Sequence, residues 1–136
     1  MKASISFPEL QSLIAEKANQ NIGFSFLDPK TVRVTYPLNL MGFIKKDISA
    51  NLTFIELVGS DLLVSVDAGF GTDKLLTTIL SLLKDKIPAG LIEKRPESRL
   101  LLHLDQIEQV KTVFDAINVT ELHVLNDGLE VEGSLK

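Results

Sequence analysis

Gly71-Thr-Asp-Lys-Leu-Leu-Thr-Thr-Ile-Leu-Ser-Leu-Leu-Lys-Asp-Lys-Ile87 is the stretch on which the architecture turns. Its apolar residues fall at Leu75, Leu76, Ile79, Leu80, Leu83 and Ile87, with Leu82 widening the band. That spacing makes one broad helical stripe, while Lys74, Thr77, Thr78, Ser81 and Asp85 occupy the other side. Thr72 or Asp73 is placed to cap the start, and Lys84 and Lys86 suit the negative end of the helix dipole. Pro88 and Gly90 stop the helix. A stripe this broad needs cover on more than one side, so the segment reads as a helix laid across a sheet.

Upstream, Ser6-Phe7-Pro8-Glu9 reads as a capping box that opens a first helix to about Asn19. Its apolar positions are Leu10, Leu13, Ile14 and Ala18. Four extended runs follow. Ile22 to Leu27 is the first, and Asp28-Pro29-Lys30 is its turn. Val32, Val34 and Tyr36 then alternate to Pro37, which places that strand at an edge or a bend. Leu38, Leu40, Phe43 and Ile44 make an apolar bend, with Lys45-Lys46-Asp47 as its solvated tip. Ile48, Ala50, Leu52 and Phe54 hold one parity and Ile55 and Leu57 the other, which predicts either a bulge or a strand covered on both faces. Gly59-Ser60-Asp61 turns the chain into Leu62, Val64, Val66 and Ala68.

Downstream, Glu93 to Ser98 reads as a polar loop and Arg99 to Leu104 as a strand. Asp105-Gln-Ile-Glu108 reads as a second capping box, opening a helix over Ile107, Val110, Val113, Phe114 and Ile117. Leu122 and Val124 face one way, Glu121 and His123 the other. Asn126-Asp127-Gly128 predicts a hairpin, with glycine taking a positive φ. The whole predicts a single α+β domain over residues 1–136. A curved antiparallel meander packs on the central amphipathic helix, with two further short helices.

Composition narrows the function. Hydrophobic residues make up 45% and mean hydropathy is +0.21, so there is apolar surface to spare. Tryptophan is absent and aromatics are 6%, so that surface is mainly aliphatic. A net charge of −4 argues against nucleic acid, whose phosphates call for basic patches, and against strong electrostatic docking on anionic lipid. Without cysteine there is no disulfide or thiolate chemistry. Met1-Lys-Ala-Ser-Ile5 lacks the apolar run of a signal peptide, so the cytoplasm is the default expectation. No apolar run reaches membrane-spanning length.

The residues carry no catalytic signature, and no cofactor or metal is expected. His103 and His123 lie on polar strand parities; were those strands neighbours, they could meet Glu121 and Glu130 around a metal. Gly69-Phe70-Gly71-Thr72-Asp73 precedes a helix but lacks the Gly-Lys-Ser/Thr of a phosphate loop. The acidic residues are scattered singly. What stands out is grease on both strand parities, at Leu62/Leu63 and at Leu100/Leu101/Leu102. A sheet curled round the helix would make an aliphatic groove suited to lipid, with Leu75, Ile79, Leu80 and Leu83 facing Phe24, Val34, Leu52 and Val64. The other expectation is an interaction module that buries the surplus in a homodimer through edge strands.

The order helix, meander, apolar helix, and then Ile117-Asn-Val-Thr-Glu-Leu-His-Val-Leu-Asn-Asp-Gly-Leu-Glu-Val-Glu-Gly133, resembles the bacterial single-module relatives of the tubular lipid-binding (BPI/SMP-like) superfamily. The resemblance covers most of the chain as a pattern. It implies a twisted antiparallel sheet around a helix, acyl chains held in the seam, peripheral membrane contact and no catalytic residues.

Overall fold

The computed structural model describes residues 1–18, 22–40, 44–69, 71–85 and 87–136, with side chains described outside 17–18, 38–40, 44–46 and 82–83. The chain opens with β1 (Lys2–Ser6), which runs straight into α1 (Phe7–Ala18). The capping box forms as predicted. Ser6 N–H donates to Glu9 Oε1 at 3.1 Å, and Glu9 N–H donates to Ser6 Oγ at 3.2 Å. Two orphan donors of the first turn are thereby satisfied.

The meander is β2 (Gly23–Asp28), β3 (Thr31–Leu40), β4 (Ile44–Val58) and β5 (Asp61–Asp67). After α2 (Thr72–Leu83) come β6 (Ile92–Arg95) and β7 (Arg99–His103), and the six strands order as β2-β3-β4-β5-β7-β6. A 3-10 turn (Leu104–Gln106) and α3 (Glu108–Ala116) lead to β8 (Ile117–Val124) and β9 (Gly128–Leu135). These join β1 in a second sheet, ordered β1-β9-β8. Every pairing is antiparallel, so the fold is α+β with a curved meander on a central helix.

Asp28 Oδ1 accepts the Lys30 N–H at 2.9 Å, which closes the predicted Asp-Pro-Lys turn. Pairing of β2 with β3 ends at Gly23 and Thr35, so Pro37 lies beyond β2 and disrupts no bond on that side. The predicted bulge in β4 lies between Phe54 and Glu56, and it turns Ile55 outward.

Several expectations need correction. Residues 45–47 are not a tip: they pair with Asn39, Leu38 and Pro37 in a ribbon continuing the β3–β4 hairpin. Phe43 and the side chains of Leu38, Leu40 and Ile44 lie outside the described residues. Helix α2 ends at Leu83, short of Ile87, whose position before Pro88 disfavours helical geometry. Its start is not capped by a side chain; Gly71 stands at the N-cap with φ 81°. Residues 92–95 are a strand, which Glu93-Lys-Arg95 concealed because an outermost strand needs only Ile92 to anchor it. Asp105 lies in the 3-10 turn, and Ile107 precedes α3 with no side-chain cap.

Two apolar clusters meet along the inner face of the large sheet. One joins Leu62, Val64 and Val66 of β5 to Leu76 of α2 and Leu100 of β7, with Leu80 packed against it. The other joins Phe7, Val32 and Val124, with Phe24, Val34 and Leu129 alongside. Leu52 and Phe54 pack against both clusters. Phe7 and Phe24 stack at 6.3 Å between ring centroids. The small sheet is fastened by Val124 N–H to the Pro29 carbonyl at 2.9 Å, and by Phe7 N–H to the Asp127 carbonyl at 2.7 Å. Removing apolar surface of this kind from water contributes about 1.5–3 kcal/mol per fully buried side chain.

Candidate functional site

Residues opposite one another in register share a face of a sheet. On the outer face of the large sheet, Glu56, Leu63, Leu101 and Glu93 form one cross-strand row. Val58, Asp61 and His103 form the next, and Ser65, Arg99 and Arg95 lie on the other side. Leu63 and Leu101 are half-buried and Val58 is 63% exposed, so this face carries an apolar strip framed by charge. The strip floors an open depression of about 440 Å³, walled by Arg95, Arg99 and Glu56. Ligand clefts usually fall in the range of roughly 300–1,000 Å³. Each arginine already has a partner: Arg95 Nη2 lies 2.9 Å from Glu93 Oε2, and Arg99 Nη2 lies 3.8 Å from Glu97 Oε2.

The sequence signal for this strip was the doubled parity at Leu62/Leu63 and Leu100/Leu101/Leu102. Leu62 of the first set and Leu100 and Leu102 of the second feed the core, and Leu63 and Leu101 reach the outer face. The residues expected to line a groove beside the central helix are distributed differently. Val64 has no exposed surface and is enclosed by the first cluster. Phe24, Val34 and Leu52 pack against Phe7, Val32 and Val124. Leu80 packs against the first cluster, whereas Leu75 and Ile79 are half-buried along the flank of α2. The side chain of Leu83 lies outside the described ones. The inner face is thus closed where Val64 meets Leu76, and an apolar ligand would enter there only by displacing core side chains.

Thr72 ties the ends of the strand-to-helix turn together through its hydroxyl. Thr72 Oγ accepts the Ala68 N–H at 3.1 Å and donates to the Gly69 carbonyl at 2.7 Å. Asp73 takes a hydrogen bond from Ser98 Oγ at 3.0 Å, with Lys94 Nζ at 3.8 Å. A carboxylate in the first turn leaves little room for a phosphate.

The two histidines belong to different sheets and do not meet. His103 Nδ1 lies 2.8 Å from Asp61 Oδ1, and its Nε2 lies 3.6 Å from Glu93 Oε2. The Asp61 hydrogen bond holds His103 above the ordinary histidine value against a smaller opposing effect of burial, and Glu93 adds to the rise. His123 Nε2 lies 2.7 Å from Glu121 Oε2 and 3.6 Å from Glu132 Oε2. Glu132 therefore takes the place expected for Glu130.

Comparison of the chain with family models, curated proteins and solved structures gives no match. Among the described residues, no helix is long and apolar enough to cross a membrane.

Proposed function

We propose that this chain binds a lipid or another apolar ligand and performs no chemistry on it. The observation that carries the reading is the apolar strip Val58, Leu63 and Leu101 flooring the outer depression. An acyl chain along the strip would leave its polar end beside Arg95 and Arg99, whose guanidinium groups retain donors beyond their glutamate contacts. A second depression of about 470 Å³ lies beside α3 and β8, but Asp105, Lys111, Asp115 and Asn118 make its rim polar and suit it less. The half-buried Leu75 and Ile79 offer a further apolar margin along α2. The pattern resemblance to tubular lipid-binding proteins adds to the case, and peripheral contact with a membrane would be the route of loading.

Native mass spectrometry of freshly purified protein, with displacement of a fluorescent fatty acid, tests this. A co-purifying lipid mass is expected, together with probe binding that Leu101→Asp abolishes. Absence of both the adduct and any probe binding below about 100 µM sinks the reading.

A second reading has its own observation. The outermost strand β2 exposes Phe26 at 37% and Leu27 at 44%, and its only charge is Asp28. Gln11 Oε1 accepts the Phe24 N–H at 3.4 Å near the start of the strand. Pairing of two β2 strands would bury this edge in a homodimer. Light scattering that reports a dimer in the wild type and a monomer in Leu27→Lys supports it; a wild-type monomer at about 100 µM removes it.

A further inference from the structure

We infer that Glu121, His123 and Glu132 form a binding site for one divalent transition-metal ion, zinc being the ion their donors suit best. The site lies on the small sheet and is independent of the apolar strip. Its three donor atoms, one imidazole nitrogen and two carboxylate oxygens, all lie within 4.8 Å of one another. Zinc bonds of about 2.0–2.2 Å in tetrahedral geometry hold neighbouring donors roughly 3.4 Å apart. The observed 2.7 Å and 3.6 Å from His123 Nε2 bracket that spacing. Side-chain rotation of less than about 1 Å would admit the ion with both strands in place.

The backbone brings the donors together through one irregularity. From Ile117 to Val119, β8 pairs with β9 in regular register; a bulge follows, and Glu121 then stands opposite Glu132. Without the extra residue, Glu121 would stand opposite Val131 and His123 opposite Leu129, on the parity of the core. The bulge flips both side chains to the face of Glu130 and Glu132. Thr120 Oγ donates to the Glu132 carbonyl at 3.0 Å and anchors the shift.

Charge on this face also calls for a cation. Glu121 and Glu132 stand directly opposite each other, an arrangement of like charges that destabilises a sheet. Glu130 stands opposite His123 on the same face, so three carboxylates crowd two strands. Lys2 of β1 stands opposite Glu132 and offsets one of them. A divalent ion would neutralise the facing pair. The donor set selects among cations: magnesium and calcium take six or more oxygens, whereas imidazole with carboxylate suits zinc and its first-row neighbours. Glu121 is 55% exposed and Glu132 40%, so water can fill the fourth position.

Isothermal titration of Zn²⁺ into the metal-free full chain tests the site. One equivalent is expected to bind. His123→Ala and Glu132→Gln should each weaken binding by about tenfold or more, with His103→Ala unchanged. Circular dichroism checks that the variants fold, and Glu121→Gln replaces any that does not. The inference fails if the wild type takes up no Zn²⁺ at about 100 µM. It fails equally if the His123 and Glu132 variants bind as the wild type does, or if His103→Ala alone removes the ion.

Discussion

His103 Nδ1 and Asp61 Oδ1 lie 2.8 Å apart across the β5–β7 pair, where the two residues stand directly opposite in register. The carboxylate can only accept, so the ring nitrogen donates. Glu93 on β6 faces the other ring nitrogen at 3.6 Å, so a charged His103 ties three strands together. Its folded pKa is raised above the ordinary value of 6.5. The stabilisation is therefore complete below that value and is lost as pH rises through the folded pKa. The melting-temperature gap between wild type and His103→Gln should be wider at pH 5.5 than at pH 8.5. An equal gap at both would show that the charged pair adds nothing.

Val64 is the tightest point of the core, with no exposed surface and with Leu62, Val66, Leu76 and Leu100 in its cluster. Val64→Ala leaves a cavity between β5 and α2 and should destabilise by roughly 2–3 kcal/mol in urea unfolding. Val58→Ala, on the open outer face, should stay within about 0.5 kcal/mol of wild type. Similar losses at the two positions would mean that the inner face is not packed as described.

Gly128 is demanded by proximity and not by its own backbone angles. Its φ is not positive, yet a Cβ there would run into the carbonyl oxygen of Ile5 on β1. Gly71, in contrast, has φ 81° and open space around its missing Cβ. Gly71→Ala should cost only the left-handed strain, about 1–2 kcal/mol. Gly128→Ala should cost more, because β1 must shift off β9. Thermal melts of the two variants decide; a milder Gly128→Ala would contradict the close approach.

Ser6→Ala removes the hydroxyl that accepts the Glu9 N–H. Loss of such a cap should cost about 1 kcal/mol. The Ser6 hydroxyl and backbone N–H also hold the Glu9 carboxyl below its ordinary value. That share of stability is present at neutral pH and falls away as pH drops through the folded pKa. The cost of Ser6→Ala should accordingly shrink between pH 7 and pH 3, and a cost constant across that interval would exclude a bond between the Ser6 hydroxyl and the Glu9 carboxylate.

Much of the architecture was legible from neighbouring residues. The Ser6–Glu9 box, the Asp28–Lys30 turn, the Phe54–Glu56 bulge and the alternation in β5 were all readable in advance. Each is a local matter of hydrogen-bond reach or of side-chain period. Two of the failures share one cause, which is that a distant segment supplied the deciding contact. Ile92–Arg95 became a strand because β7 offered its edge. Gly128 answers to Ile5, more than a hundred residues earlier, through a clash that no hairpin rule contains.

The candidate sites divide along the same line. Period and composition dictated an α+β chain with more aliphatic side chains than one core absorbs, because spacing along the chain sets which residues share a face. Which leucine of each doubled pair would be left outside depended on how six strands registered across the sheet. Glu132, and not Glu130, reached His123 because a single bulged residue shifted β8 against β9. Register is settled by pairing between strands far apart in the chain, so those outcomes had no local signature to read.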